Sequence, residues 1–188
     1  MGARWHPVRR PVVDPTLWRG EDRWWLFCTF RDDGPDRQLH LFHAARLGEE
    51  WVPHNGNPIK IDAGASRPAG PLFRAGDHLV RPAQDCSRTY GGGIVLHAIV
   101  QLNEHRFEEK ILRRLDPLPG PYRHGLHTLC PAGDVCLIDG KRWRADVPGA
   151  IGKLRRAAFR GLGLGYDNAG PNLCNAAKEH FQPLQSGA

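Results

Sequence analysis

The stretch Leu17-Trp-Arg-Gly-Glu-Asp-Arg-Trp-Trp-Leu-Phe27 places a Gly/Asp turn between two short apolar runs. The same pattern returns at Leu72-Phe-Arg-Ala-Gly-Asp-His-Leu-Val80 and at Leu129-Cys-Pro-Ala-Gly-Asp-Val-Cys-Leu-Ile138. Apolar runs on either side of such a turn predict β-hairpins. The sequence therefore predicts three hairpins in series, whose turn aspartates, spaced about 55 residues apart, are Asp22, Asp77 and Asp134.

Further strands are expected at Gln38–Ala44 and at Ile94–Val100, so that each repeated unit holds three or four strands. The units also share an opening Trp followed by a Pro-aliphatic step, at Trp5 and again at Trp51. Repeats of about 40–50 residues with four strands are typical of propeller blades. We therefore predict an all-β fold with about three four-stranded blades of a β-propeller.

The predicted ring is incomplete, because closed propellers have about 4–8 blades and this chain has room for about three. An open ring would leave an unpaired sheet edge, which soluble proteins avoid. The missing blades are expected from an upstream segment or from another chain, and we favour the upstream segment. Two alternatives remain at this stage: an architecture that is not a closed ring, and an ordinary β-sandwich with similar hairpins.

The predicted domains are a partial propeller over residues 1–148 and a basic, Gly-containing tail over residues 149–188. In the tail, 153–160 and 175–181 have the pattern of short helices, and the alternative is a disordered end. The net charge of +6 is mild and spread along the chain. It is typical of a solvated surface, and the sequence shows no nucleic-acid-binding motif, so a nucleic acid partner is not expected.

The cysteines and the hydropathy narrow the class of protein further. The five cysteines are odd in number and show no CxxC spacing, which argues against a disulfide framework and against a zinc site. The sequence from Met1 onward lacks the apolar run of a signal peptide, and no stretch approaches 18 apolar residues. We expect a cytoplasmic protein without a membrane span.

The candidate site lies where the innermost strands of the blades begin, because in a propeller these strands line one central funnel. Asp14, Arg67 and His127 stand at these positions. An aspartate, an arginine and a histidine facing one pocket would suit an anionic or hydroxyl-rich ligand. Asp14 also fits a simple Asp-Pro turn at the start of a strand, and His127 also fits a histidine of the core.

A dense polar block follows the second hairpin and carries further candidates for binding a substrate, namely Arg81, Gln84 and Tyr90. Glycosidic cleavage needs two carboxyl groups, one as acid and one as base or nucleophile. Asp14 and Asp85 are the predicted catalytic pair. Glu108 and Glu109 are alternatives, but adjacent residues of a strand point to opposite faces, so only one of these glutamates could serve.

Several motifs resemble one known family. They are Trp51 to Pro58, Ser66-Arg-Pro-Ala-Gly70, Arg81-Pro-Ala-Gln-Asp-Cys86, Tyr90-Gly91 and Gly125-Leu-His-Thr128. Over about residues 4–145 they resemble the propeller domain at the N-terminus of plant glucosamine inositolphosphorylceramide transferases and of bacterial stand-alone relatives. That domain is similar in turn to the five-bladed propellers of glycoside hydrolase families 43 and 32.

The resemblance implies a five-bladed ring, with Asp14 similar to a carboxylate near its axis. It also implies that His127 is similar to an axial histidine that can support a divalent metal ion. No residue is assigned as a metal ligand from the sequence itself. In the plant protein the glycosyl transfer is assigned to a separate domain, so the resemblance implies binding or orientation of a glycan as readily as catalysis.

Three functions follow from these observations. The first is a carbohydrate-active enzyme in which Asp14 and Asp85 are acid and base and in which Arg67, Arg81 and Gln84 position the sugar. The second is a non-catalytic glycan-binding domain that accompanies a glycosyltransferase. The third, an electropositive interaction module, depends only on the net charge. The expected ligand is a carbohydrate or a sugar phosphate.

Overall fold

The computed structural model describes residues 10–142, and this part of the chain contains strands and no helix. Short apolar segments separated by Gly- and Asp-containing turns favour strands over helices, and the all-β prediction is confirmed. The strands are β1 Val12–Arg19, β2 Trp24–Phe30, β3 Gln38–Ala44, β4 Val52–Pro53, β5 Lys60–Ile61, β6 Phe73–Ala75, β7 His78–Asp85, β8 Gly93–Leu102, β9 Phe107–Leu115, β10 Gly125–Ala132 and β11 Val135–Lys141.

The strands form three antiparallel sheets in which neighbours along the chain are neighbours in the sheet. The first sheet has the order β1-β2-β3-β4, with β5 also paired to β3. The second has the order β6-β7-β8-β9, and the third consists of β10 and β11. Within residues 10–142 no sheet closes on itself. The two larger meanders fit an incomplete, propeller-like arrangement, and the third predicted blade has two strands instead of four within the described residues.

The three predicted hairpins are all present. In the first, Gly20 N–H donates to the carbonyl of Arg23 at 2.9 Å, which closes the turn between β1 and β2. The other two turns contain Gly76 and Gly133 at φ 56° and 60°, a left-handed conformation that glycine adopts without steric cost. The strand predicted at Gln38–Ala44 is also found with these bounds, as β3.

Apolar side chains fill the spaces between successive sheets. Between the first and second sheets, Phe27 and Leu41 are fully buried, and the rings of Phe27 and Phe107 meet at 5.9 Å. Between the second and third sheets, Leu96 and Leu126 belong to one buried cluster. This packing fixes the sheets relative to one another, so side chains at one end of several strands can share a pocket.

Some sequence-based expectations lie outside the described residues. The helices predicted at 153–160 and 175–181 are among them, as is the opening Trp5 of the first repeat. The division into domains at residue 148 therefore stays a prediction. Within residues 10–142, no helix is long and apolar enough to cross a membrane.

Candidate functional site

The site begins at a β-bulge in the first strand. The pairing of β1 with β2 shifts register between Val13 and Thr16, and Asp14 lies inside this irregularity with φ 48°. Aspartate tolerates a left-handed conformation better than most residues, although the conformation still carries some strain. A bulge changes the direction of the side chain that it carries. We therefore attribute the departure of the Asp14 side chain from the regular alternation of the strand to this bulge.

Arg67 holds the carboxylate of Asp14 and that of a second aspartate. Its Nε donates to Oδ2 of Asp14 at 2.7 Å, and its Nη1 donates to Oδ1 of Asp36 at 2.7 Å. The guanidinium also lies over the ring of Tyr90, 4.7 Å from its centroid. Burial lowers the pKa of Arg67, but the hydrogen bonds to the two carboxylates outweigh burial and raise it overall. Arg67 is therefore charged, and nearby carboxylates already compensate its charge.

Gln84, near the end of β7, holds Asp14 from another direction. Its side-chain amide donates to Oδ2 of Asp14 at 3.0 Å and to the carbonyl of Pro68 at 2.8 Å. Gln84 is buried, so this amide is fixed by its surroundings. Among the described residues, both side-chain hydrogen bonds to the Asp14 carboxylate go to Oδ2, which leaves Oδ1 for a ligand.

His127 reaches the same place from the third sheet. It lies at a register shift of β10, between Leu126 and Thr128, and its Nδ1 contacts Oδ2 of Asp139. The rings of Tyr90 and His127 pack in a T-shaped arrangement, with the centroids 5.4 Å apart. His127 is thus held by a carboxylate on one side and by an aromatic ring on another.

An open pocket of about 350 Å³ joins these groups and is called here the Asp14 pocket. Its volume falls at the small end of the range for sites that bind small molecules. Two neighbouring residues contact its lining: Arg67 contacts Asp14, and Tyr90 contacts His127. The lining consists of Asp14, Pro15, Thr16, Leu17, Pro68, Ala69, Gly70, Pro71, Gln84, His127 and Thr128.

The structure places the second predicted catalytic carboxylate elsewhere. Asp85 lines a different cavity of about 340 Å³, where its Oδ1 accepts a hydrogen bond from the Ser87 hydroxyl at 2.6 Å and its Oδ2 contacts Arg114 at 3.3 Å. Gln84 and Asp85 are adjacent in β7, and adjacent side chains of a strand point to opposite faces. Asp14 and Asp85 therefore do not share a pocket.

The structure places Arg81, which was predicted to bind a ligand, in a buried ionic cluster. Its side chain is 1% exposed, and it donates to both carboxylate oxygens of Glu109, at 2.8 and 2.7 Å, and to the carbonyl of Ala65 at 2.7 Å. Arg81 lines neither the Asp14 pocket nor the cavity of Asp85. Arg81 lies in β7 and connects this strand to the loop before Arg67 and to Glu109 of β9.

Glu109 is the centre of this buried ionic cluster, which also contains Arg81, Lys60 and His97. Lys60 Nζ donates to Oε1 of Glu109 at 2.7 Å. Burial raises the pKa of Glu109, but the charge and hydrogen bonds of Arg81 outweigh burial and hold it at about 2. Burial lowers the pKa of His97 to about 4. The cluster therefore keeps an ionised glutamate and a neutral histidine inside the protein.

Sequence reasoning missed two carboxylates of the site. Asp36 lies in an Asp- and Gly-rich turn that looks solvated in sequence, and Asp139 lies inside a strand among apolar residues. Neither position carries a local signal of function.

Glu108 and Glu109 point to opposite faces, as predicted for adjacent residues of a strand. The side chain of Glu109 is 5% exposed and that of Glu108 is 46% exposed.

The described residues do not fit the axial metal ion that the resemblance implies. Over residues 10–142, no three His, Cys, Asp or Glu side chains are grouped so that they could hold a metal ion. The Nδ1 atom of His127 already contacts Oδ2 of Asp139. We therefore derive no chemistry through a metal.

Two rice proteins are similar to about half of this chain. Glucosamine inositolphosphorylceramide transferase 1 of Oryza sativa subsp. japonica is 32% identical over 107 residues, and that of subsp. indica is 33% identical over 108 residues. Each alignment covers 54% of this chain but only 14% of the relative's length. No solved structure gives a significant match.

The family model for the N-terminal part of glucosamine inositolphosphorylceramide transferase 1 matches residues 6–114, more than half of the chain. The match includes Asp14, Asp36, Arg67, Gln84 and Tyr90 and ends within β9, before the third sheet. This chain therefore belongs to the family of glucosamine inositolphosphorylceramide transferase 1 N-terminal domains.

Proposed function

We propose that this chain is a non-catalytic glycan-binding domain that works with a glycosyltransferase and holds an uncharged sugar in the Asp14 pocket. One observation carries the proposal: Arg67 and Gln84 fix the same oxygen of Asp14 at the wall of an open pocket. A carboxylate fixed in advance loses little conformational freedom when it accepts a hydrogen bond from a ligand hydroxyl, which favours binding.

The local charge favours an uncharged sugar over a sugar phosphate. Arg67 carries one positive charge, but Asp14 and Asp36 both contact it, so these three side chains together are negative. A phosphate would be repelled by both carboxylates and would have to displace one of them to reach the guanidinium. The hydroxyls of a neutral sugar can instead donate to Oδ1 of Asp14, and a cationic amino sugar is also compatible with this charge.

The link to a glycosyltransferase rests on family membership. The rice relatives are named as transferases, but the matching segment is a small part of their length, so that activity is a property of those proteins. A role beside the transferring domain agrees with a pocket that binds without an acid and base pair. Hydrolysis has less support, because Asp14 and Asp85 line separate cavities.

Saturation-transfer NMR on the 188-residue chain tests the proposal. The probes are glucose, galactose, mannose, myo-inositol and glucosamine, with glucose 1-phosphate and glucuronic acid as anionic counterparts. We expect saturation transfer to at least one uncharged or cationic probe and weaker transfer to the anionic ones. The Asp14→Asn variant should lose this signal, because Arg67 and Gln84 hold the amide oxygen and the NH₂ group then replaces the Oδ1 acceptor.

The matched control is Asp85→Asn, the same substitution in the other cavity, which should leave the signal intact. Transfer to none of the probes would overturn the proposal, as would equal loss in both variants. Release of aryl alcohol from aryl glycosides by the wild-type chain would contradict the non-catalytic part.

A further inference from the structure

We propose that Asp139 fixes His127 with its proton on Nδ1, so that Nε2 accepts a hydrogen bond from a sugar hydroxyl in the Asp14 pocket. This inference deepens the proposed function and rests on it. It assigns a role to Asp139, which does not line the pocket and acts as a positioning residue. It also places the two hydroxyl acceptors of the pocket on different sheets, Asp14 on the first and His127 on the third.

The contacts of Asp139 determine which nitrogen of His127 carries the proton. Oδ1 of Asp139 accepts from the backbone N–H of Thr128 at 2.8 Å and from that of His127 at 3.3 Å, while Oδ2 contacts Nδ1 of the imidazole. An ionised carboxylate can only accept hydrogen bonds, so Nδ1 must be the donor. In a neutral imidazole the other nitrogen, Nε2, is then an acceptor.

The backbone around His127 supports this arrangement. The register shift of β10 falls at His127, opposite Asp139 in β11, and brings both backbone N–H groups onto one carboxylate oxygen. Gly91 lies against the histidine, because a Cβ atom at that position would come within 2.5 Å of the His127 Cβ. At φ 58°, glycine is also the residue that this backbone favours. The imidazole therefore has little freedom to turn.

The chemistry of the ligand follows from this pair of acceptors. Nε2 of a neutral histidine and Oδ1 of Asp14 both need hydroxyl or amine donors, and a pocket of about 350 Å³ has room for a single ring. A sugar or cyclitol ring offers several hydroxyls on a rigid frame, so one ring can satisfy both acceptors. A phosphate that carries no proton offers no donor to either.

The tautomer can be measured without any ligand. Nitrogen-15 NMR of the histidine rings in the 188-residue chain at pH 8 should show His127 as the neutral Nδ1–H form. In the Asp139→Asn variant, the amide oxygen can still accept the hydrogen bonds from the two backbone N–H groups. The amide NH₂ then faces Nδ1 and can only donate to it. The proton should then move to Nε2, by the same logic by which an Asp-to-Asn change turns the histidine of a catalytic triad to the wrong tautomer.

Binding is measured on the same variants with whichever sugar of the set above gives the strongest saturation transfer. We expect Asp139→Asn to weaken its binding about tenfold, close to the effect of His127→Ala, because the hydroxyl that donates to Nε2 then faces an Nε2–H donor. Asp77→Asn, the same change in the exposed turn of the second hairpin, is the control and should bind as the wild type does.

The outcomes separate this inference from the proposed function. A wild-type His127 in the Nε2–H form, or as an imidazolium, would overturn the inference even if sugars bind. The inference would also be overturned if the proton of His127 moves to Nε2 in Asp139→Asn and the affinity for the sugar stays unchanged. If the tautomer is as expected and no sugar of the set binds, the proposed function fails and the acceptor role fails with it.

Discussion

Arg67 and Arg81 make similar contacts in neighbouring parts of the chain, yet their surroundings give them different roles. Arg81 is 1% exposed and its partner Glu109 is 5% exposed, whereas Arg67 is 12% exposed and its partners Asp14 and Asp36 are 38% and 41% exposed. In the first case both charges are removed from water and depend on each other. In the second, the carboxylates still reach solvent and can meet a ligand. The exposure of the partner carboxylates therefore distinguishes the buried ion pair of Arg81 from the half-exposed ion pairs of Arg67.

The largest effect is expected from breaking the buried pair. Arg81→Met leaves Glu109 inside the protein with Lys60 as its one remaining close cation among residues 10–142. Removing one member of a buried ion pair typically costs about 3–5 kcal/mol of unfolding free energy. Urea denaturation of the variant and the wild type measures this cost. Adding Glu109→Gln to Arg81→Met should restore part of the loss, and a loss below about 1 kcal/mol in the single variant would contradict the role given to this cluster.

Acid should destabilise the protein through the same cluster. The folded-state pKa of His97 is about 4, below its ordinary value of 6.5, so the unfolded chain takes up a proton first as the pH falls. The folded-state pKa of Glu109 is about 2, below 4.5, and acts in the same direction at lower pH. We expect the unfolding free energy to fall by about 2–3 kcal/mol from pH 7 to pH 4, chiefly through His97.

Urea denaturation at several pH values between 7 and 4 checks this expectation, with His97→Gln as the matched variant. Because the glutamine does not titrate, the variant should lose much of the pH dependence above pH 4. A wild-type protein whose unfolding free energy is constant over this range would contradict the assignment of a neutral, buried His97.

A smaller change of stability is expected at the other arginine. Arg67→Met removes the guanidinium that contacts both Asp14 and Asp36. Both carboxylates remain partly exposed to water, which solvates their charges. We expect a loss of about 1 kcal/mol of unfolding free energy, as for a half-exposed ion pair, together with at least a tenfold loss of sugar affinity. Denaturation and saturation-transfer NMR on one preparation measure both. A destabilisation equal to that of Arg81→Met would remove the distinction between the two arginines.

The smallest effect is expected at Asp85. Its partner Arg114 is 57% exposed, and ion pairs of this kind contribute about 0–1 kcal/mol. Asp85→Asn should therefore change the unfolding free energy by less than about 0.5 kcal/mol and leave sugar binding unchanged. If this variant loses sugar affinity while Asp14→Asn keeps it, the binding site lies in the second cavity instead.

Local sequence patterns were sufficient to predict the longer strands, but not the two-residue strands β4 and β5. A Gly/Asp turn between apolar runs is a short-range signal, and it located all three hairpins, while alternating apolar residues located β3. The sequence also pointed to Asp14, Arg67, Gln84, Tyr90 and His127, which the structure brings together around one pocket. Asp14, Gln84 and His127 lie near the ends of strands, whereas Arg67 and Tyr90 lie in the loops before β6 and after β7. The repeat itself predicts that such positions converge.

The partners of these residues could not be predicted in the same way. The choice between Gln84 and Asp85 depends on which face of β7 meets the pocket, and an apolar pattern broken by Arg81 does not fix that register. Asp36 contacts Arg67 only because the turn after β2 lies beside the loop before β6, and Asp139 contacts His127 because of the register shift between β10 and β11. Burial of Arg81 likewise depends on Glu109, which lies 28 residues later in the chain.

The most direct test of the account observes the side-chain N–H groups of the two arginines and of Gln84 in one NMR titration. The chain, labelled with nitrogen-15, is titrated with the sugar of the set above that gives the strongest saturation transfer. We predict that the resonances of Arg67 Nε–H and of the Gln84 amide shift with the sugar concentration and that Arg81 Nε–H does not. A shift of Arg81 Nε–H as large as that of Arg67, or saturable sugar binding that moves neither Arg67 nor Gln84, would contradict the account.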